Sequence, residues 1–279
     1  MNVTFTDHPG KFPDNTIISA LTRDSVSFDE MMSDLRQVDI VYVGEVHTDR
    51  HHHARQLDII RELHKTAPTL TVGMEMFSTP YQPILNQWSA GEIDEAEFLK
   101  RSHWYANWKY RFSLYRDILL YIRENQQPLV ALNIPFHIPA KIATGGIDSL
   151  LADDKKYLPK KIDLSNQTHR AYVEKIFSHH HLPGRKDFER FFSAQCVWDE
   201  AMAETISRNP ANTPMVVLVG NGHIIHKFGI PNRAYDRTGA TFRTIYLIEA
   251  GSKAELSYAD YIWVTPNRGK PNRMALKFS

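Results

Sequence analysis

Four largely apolar runs stand out along the chain: Val38–Val43 (interrupted by Asp39), Leu70–Met76, Leu129–Ile134 and Met215–Val219. Their length and β-branched content are those of strands. Apolarity that is continuous rather than alternating predicts burial on both faces, as in a parallel sheet. Between the first two runs, HHHARQLDIIRELHK sets Leu57, Ile60 and Leu63 at helical spacing, with Asp49 placed to cap the helix start. That makes one β-α-β unit, with a right-handed crossover. The later connections are much longer. Residues 80–127 read as helices over Pro80–Trp88, Asp94–Lys100 and Phe112–Arg123, and residues 136–210 read as helices over Asn166–Phe177 and Lys186–Arg208. These insertions are expected to pack together on one side of the sheet as a helical cap. After His223 come two short strands, TFRTIYLI and DYIWVT, and the opening NTIISALTRDSVSFDEMM reads as a strand or hairpin leading into a short helix. With no Gly-, Ser- or Pro-rich linker and no internal repeat, residues 1–279 are expected to form a single α/β domain. Its expected architecture is a mainly parallel sheet flanked by helices.

Composition narrows the classes. The 42% hydrophobic content supports a sizeable core, and 33 basic against 32 acidic residues leave a formal charge of +1. So weak a net field argues against a nucleic-acid partner. Cys196 is the single cysteine, which excludes an intramolecular disulfide framework, a cysteine zinc cluster and covalent CxxCH haem attachment. The start MNVTFTDHPGKFPDN has no basic segment followed by an apolar run, and no apolar stretch approaches the roughly 18 residues of a membrane span. A soluble chain is expected, in the cytoplasm or as the trimmed form of an exported or lipid-anchored protein.

In open parallel sheets ligands bind beyond the carboxyl ends of the strands. The first run ends in Gly44-Glu45-Val46-His47, the second in Glu75-Met76-Phe77, the third in Asn133-Ile134-Pro135 and the fourth in Gly220-Asn221-Gly222-His223. Two carboxylates, two imidazoles and two amides are thereby expected at one sheet edge. A carboxylate so close to a buried run needs a partner or a cation. Glu45, His47, Glu75 and His223 are therefore the candidate ligands of a divalent ion, for which zinc, manganese, iron and cobalt all suit the donor set. GNGH lacks the patterns of phosphate-binding loops, and no GxSxG elbow occurs.

His51-His52-His53 opens the first helix, where neutral imidazoles would be available as ligands, and His179-His180-His181 reads as a solvated loop. The segment HWYANWKYRFSLY is dense in aromatics, which suits either a packing seam or a flat cofactor wall, and tyrosine is one of the haem-iron ligands. Cys196, beside Val197 and Trp198 in a helical pattern, reads as buried and inert.

The strings GEVHTDRHHHARQ, GMEMF, ALNIP, AQCVWDEAMA and GNGHIIHKFGIP, in this order, resemble the ChaN family, which is grouped with the Tiki proteins; the likeness runs from about Ile17 to Arg237. The resemblance implies an α/β core with a helical cap. For ChaN-like members it implies haem or iron acquisition, and for Tiki-like members metal-dependent protease activity. By position the family's GxxH units fall on Gly44–His47 and Gly220–His223, and its acidic strand end falls on Glu75. Its paired histidines fall on His52 and His53, and its acidic helix on Trp198, Asp199 and Glu200. The family's tyrosine ligand has no motif to mark it.

Two functions follow. One is non-covalent haem binding in iron acquisition or haem handling, with iron donors sought among Tyr105, Tyr110, His52 and His53. The alternative is a metal-dependent hydrolase in which Glu45 or Glu75 serves as general base. The expected partner is haem or another metal-bearing small ligand, and a homodimer is compatible with either reading.

Overall fold

The computed structural model describes residues 2–179, 187–209 and 213–267. Among them the strands are β1 (Val3–Phe5), β2 (Lys11–Phe12), β3 (Ile17–Ser19), β4 (Asp24–Val26), β5 (Ile40–Glu45), β6 (Thr71–Ser78), β7 (Leu129–Asn133), β8 (Met215–Gly220), β9 (Phe242–Glu249), β10 (Lys253–Ala254) and β11 (Tyr261–Thr265). The main sheet has the order β4-β3-β11-β9-β5-β8-β6-β7, and β10-β1-β2 form a small second sheet. From β11 to β7 every pairing is parallel, while β3 and β4 close one edge as an antiparallel hairpin. The four apolar runs are therefore neighbours in one sheet, as expected, and β5, β6 and β8 are buried at every position.

The helices are α1 (Phe28–Leu35), α2 (Arg50–His64), α3 (Gln82–Ser89), α4 (Glu95–Arg101), α5 (Trp104–Asn107), α6 (Arg116–Glu124), α7 (His137–Gly145), α8 (Ala152–Lys155), α9 (Gln167–His179), α10 (Phe188–Ile206) and α11 (Ile230–Thr238). Polar caps fix several starts. Ser27 and Glu30 close a reciprocal capping box on α1, Asp49 accepts from the His51 amide on α2, and Asp94 accepts from the Glu97 amide on α4.

One expectation fails. The helices of the two long connections do not gather on one side of the sheet. Val41 and Val43 of β5, with Val216 and Leu218 of β8, pack against α2, α3 and α6. The alternate residues Ile40, Tyr42, Val217 and Val219 pack against α10 and α11. A parallel sheet that is apolar on both faces must be covered on both, and the two insertions divide the task. They meet again over the carboxyl edge of the strands, where Phe136 lies 5.7 Å from Trp108 of the first insertion and 6.4 Å from Trp198 of the second. That junction roofs the edge where the polar strand ends converge.

Candidate functional site

The register of β5 on β8 sets Glu45 opposite Gly220, so the two GxxH units stand side by side. On the far side of β8, the pairing of β6 with β7 loses register between Met74 and Ser78, the stretch that holds Glu75. Irregularities of this kind re-aim side chains near sites. Here the Asn133 side-chain amide donates to the Glu75 carbonyl at 3.0 Å, while Asn133 Oδ1 accepts from Trp198 Nε1 at 2.6 Å.

Glu45 is buried and hydrogen-bonded through Oε1, while Oε2 makes an ion-pair contact without hydrogen-bond geometry among the described residues. Its Oε1 accepts from the Tyr115 hydroxyl at 2.6 Å and pairs with His47 Nδ1 at 2.7 Å, and its Oε2 lies 3.0 Å from His53 Nε2. Burial alone would raise its pKa. The His53 charge, the His47 hydrogen bond and the close His53 contact outweigh burial and hold the carboxyl well below the usual range. With Nδ1 tied to Glu45, His47 turns Nε2 towards Gly220 and Glu75: a methyl on Gly220 would lie 3.3 Å from that nitrogen and 3.6 Å from Glu75 Oε2. Burial works against charge on His47, but the Glu45 hydrogen bond and the Glu75 and Glu45 charges raise its pKa overall.

Glu75 is buried too, but held more loosely. Its Oε2 accepts from the Gly220 amide at 2.6 Å, and its Oε1 faces His223 Nε2 at 3.5 Å. Burial raises its pKa, and the His223 and His47 charges with the His223 and Gly220 hydrogen bonds bring it down. His223 is oriented from behind by Asp199, whose Oδ1 lies 2.6 Å from Nδ1, while Gln195 stands 3.3 Å from the same nitrogen. Burial lowers the His223 pKa, yet the flanking Glu75 and Asp199 charges push it up to about 10. Two imidazoles, each bonded to a carboxylate through Nδ1, thus flank Glu75, which His223 Nε2 faces at 3.5 Å.

A cleft of about 280 Å³ opens over this floor. Its base is His47, Glu75, Gly220 and His223, and its walls are the aromatic and aliphatic side chains of α9 and α10, among them Tyr172, Phe191 and Trp198. His169 lines it as well, buried at 2% exposure, and its Nδ1 makes no hydrogen bond among the described residues.

Of the residues expected from sequence, Glu45, His47, Glu75 and His223 come together. No group of three or more His, Cys, Asp or Glu side chains among the described residues is arranged to hold a metal ion. Glu45 Oε1 is taken by two hydrogen bonds, whereas its Oε2 meets only the His53 ring. The expectation that His52 and His53 stand available as ligands is not met, although α2 opens on an exposed Arg50 and a half-buried His51. His52 and His53 are both buried, His52 accepting from the Val46 amide at 2.9 Å and His53 facing Glu45, because α2 starts directly over the end of β5. Neither presents a nitrogen to an incoming ligand. Tyr105 is 63% exposed and does not line the cleft, whereas Tyr110 is half-buried with its ring 5.0 Å from His47. His180 and His181 lie outside the described residues. Cys196 is buried, its thiol pushed up to about 12 by burial. Sequence reasoning left Tyr115, Gln195, His169 and Tyr172 out of the site and gave Asp199 no role in it. Gln195 and Asp199 had a signal, since they are four apart on one face of α10.

The sequence profile described as haem-binding uptake, Tiki superfamily, ChaN matches residues 31–234. The chain belongs to the ChaN family. Every residue lining the cleft lies within the matched span. The structure is similar to that of ChaN of Campylobacter jejuni, which binds haem cofacially: TM-score 0.72 and 18% identity over 93% of this chain and 98% of that one. It is also similar in fold to the type III effector HopBA1, with TM-score 0.50 and 12% identity over 86% of this chain and 93% of that one. In sequence it is 31% identical over 129 residues to the chloroplastic protein RETICULATA-RELATED 5 of Arabidopsis thaliana, a match covering 43% of this chain and 17% of that protein. Among the described residues no helix of this ChaN-family chain is long and apolar enough to cross a membrane.

Proposed function

We propose that this protein binds haem at the cleft over the β6 and β8 ends and serves haem or iron handling. The observation that carries the reading is the cleft itself, which joins aromatic walls to imidazole and phenol donors inside the span that defines the family. At about 280 Å³ it lies at the lower limit for small-molecule sites, roughly 300–1,000 Å³. A macrocycle would be only partly enclosed there, its remainder at the surface beside Tyr172, whose ring stands 5.6 Å from His226. Tyr172, which lines the cleft, and Tyr110, whose ring lies 5.0 Å from His47 at its base, are the phenols that would serve as iron donors, since His52 and His53 are buried in the fold. The exposed part of the haem is then left for a second copy of the chain to cover. Phenolate ligation gives a high-spin ferric spectrum that resists reduction, and Tyr172→Phe or Tyr110→Phe should abolish it. Saturable haemin binding tighter than about 10 µM, worth roughly 7 kcal/mol, is expected. A titration without saturation in that range refutes the reading.

Hydrolysis is the second reading, favoured by Glu75 standing between two oriented imidazoles. Glu75 would take the proton of an attacking water, and His223 would protonate the leaving group. Acid–base groups work best with pKa values near the working pH. Here Glu75 is depressed and His223 stands near 10, so the resting pair is an ion pair poorly matched to neutral catalysis. Binding is the better-supported function. A panel of ester and amide substrates assayed against Glu75→Gln tests the second reading, and turnover lost in that variant would establish it.

A further inference from the structure

The sheet face that α2 covers is left open towards its antiparallel edge. There Ile17 of β3, Val26 of β4, Trp263 of β11 and Phe28 at the start of α1 form an apolar floor, with the Phe28 and Trp263 rings 5.6 Å apart. Over that floor stands a trough of about 560 Å³, inside the roughly 300–1,000 Å³ of small-molecule sites. It shares no lining residue with the cleft over Glu75. Its long wall is α2, where Arg55, Asp58, Glu62 and Lys65 recur at three- and four-residue intervals, so that a charged stripe faces the apolar floor. Both acids of the stripe are answered within the protein. Glu62 meets Arg36 and Lys65, each at 2.6 Å, and Asp58 meets Arg55 at 3.2 Å. The bases are not used up in return. Arg55 lays its guanidinium 5.2 Å over the Trp263 ring, and Arg61, on the same wall, makes no ion pair among the described residues and rests 5.4 Å over Tyr121.

We propose that this trough is a second small-molecule site, and that it takes a planar aromatic carboxylate. The rings would lie on the floor beside Phe28 and over Trp263, and the carboxylate would meet the Arg55 and Arg61 guanidiniums, whose planar forks match its two oxygens. A neutral aromatic compound would fill the floor and leave the cations without an anion. A small inorganic anion would answer the cations and leave the aromatic floor in water. Only a ligand with both parts satisfies a wall and a floor of such different character. The site is separate from the haem cleft, and either can hold without the other.

The test titrates the full chain, carrying isotope-labelled isoleucine and valine methyls, with 2-naphthoate and with its uncharged counterpart 2-naphthalenemethanol. In wild type the acid should saturate with a Kd below about 1 mM and shift the Ile17 and Val26 methyls, and the alcohol should bind about tenfold more weakly. In Arg55→Gln the advantage of the acid over the alcohol should fall to about twofold, with a smaller fall in Arg61→Gln. Haemin titrations of both variants should match wild type. Absence of saturation by 2-naphthoate overturns the proposal, and so do shifts confined to Val173 and Ile176 of the haem cleft. Equal affinity for acid and alcohol in wild type, or an acid preference that survives both substitutions, overturns the role of the guanidiniums and the proposal with it. Haemin affinity lost in Arg55→Gln would make the trough and the haem site one, which also overturns it.

Discussion

The two carboxylates at the strand ends look alike in sequence and behave as opposites. Glu45 has two side-chain hydrogen bonds at Oε1, to Tyr115 at the start of α6 and His47 in the turn after β5, and an ion-pair contact at Oε2 with His53 of α2. It is a junction for the fold. Glu75 has one backbone donor and one imidazole at 3.5 Å, and it faces the cleft. It is a group with capacity to spare. The contrast shows that burial does not by itself separate a structural carboxylate from a working one. What separates them is how much of the hydrogen-bonding capacity the fold has already taken.

The largest effect should follow from breaking the closed half. In Glu45→Gln the Tyr115 and His47 donors and the His53 ring lose a charged partner in a buried position, and breaking a buried pair by removing one partner costs about 3–5 kcal/mol. Glu75→Gln breaks the Glu75–His223 ion pair but keeps an acceptor for the Gly220 amide and leaves His223 its Asp199 partner, so it should cost less, about 1–3 kcal/mol. Haemin binding should respond in the reverse order once both variants are confirmed folded. Urea unfolding of the pair decides the matter, and equal losses would dissolve the distinction.

That distinction was only partly written in the sequence. Continuous apolar runs ending in GEVH and GNGH revealed the parallel strands and the edge where ligands meet, because strand burial and strand termination are local properties. Donor count is not local. Tyr115 reaches Glu45 across 70 positions, and Asp199 reaches His223 across 24. The histidine triplet misled for the same reason: a histidine at a helix start looks available as a ligand until the strand end beneath it is known. The side taken by each insertion was illegible too, since a strand that is apolar on both faces does not say which helix covers which.

The open half can be sharpened by pH. The His223 pKa is raised from its usual 6.5 to about 10 by Glu75 and Asp199 against the opposing effect of burial. A group whose folded pKa is raised gives stability that is fully present below the unfolded value and is lost as pH climbs through the folded one. Wild type should therefore lose on the order of 2–3 kcal/mol, the worth of hydrogen bonds to charged groups, between about pH 6.5 and 10. His223→Gln should be flatter over that window. Thermal melts across the range give the comparison, and parallel profiles for the two proteins would mean that His223 carries no such charge when folded.

The finest probe is a methyl group placed between the two halves. Gly44 and Gly220 end adjacent strands, and space rather than backbone conformation excludes a side chain at either. A methyl on Gly44 would stand 2.1 Å from Asn221 Oδ1 and 2.7 Å from Ile224 Cδ1, inside packed structure. Asn221 is tied down by its bond to the Leu247 carbonyl at 2.8 Å, so Gly44→Ala should cost about 1–3 kcal/mol by overpacking. A methyl on Gly220 would meet the His47 ring at 3.1 Å and Glu75 Oε2 at 3.6 Å, and that ring is one-quarter exposed and able to yield by a few tenths of an ångström. Gly220→Ala should thus cost less than Gly44→Ala, about 1 kcal/mol. It would still rotate His47 Nε2 away from Glu75 and narrow the base of the cleft. The expected result is near-native unfolding in urea together with weakened haemin binding. Native affinity in Gly220→Ala would show that the floor between His47 and Glu75 does not touch the ligand, and would move the binding surface outward to Tyr172 and His226.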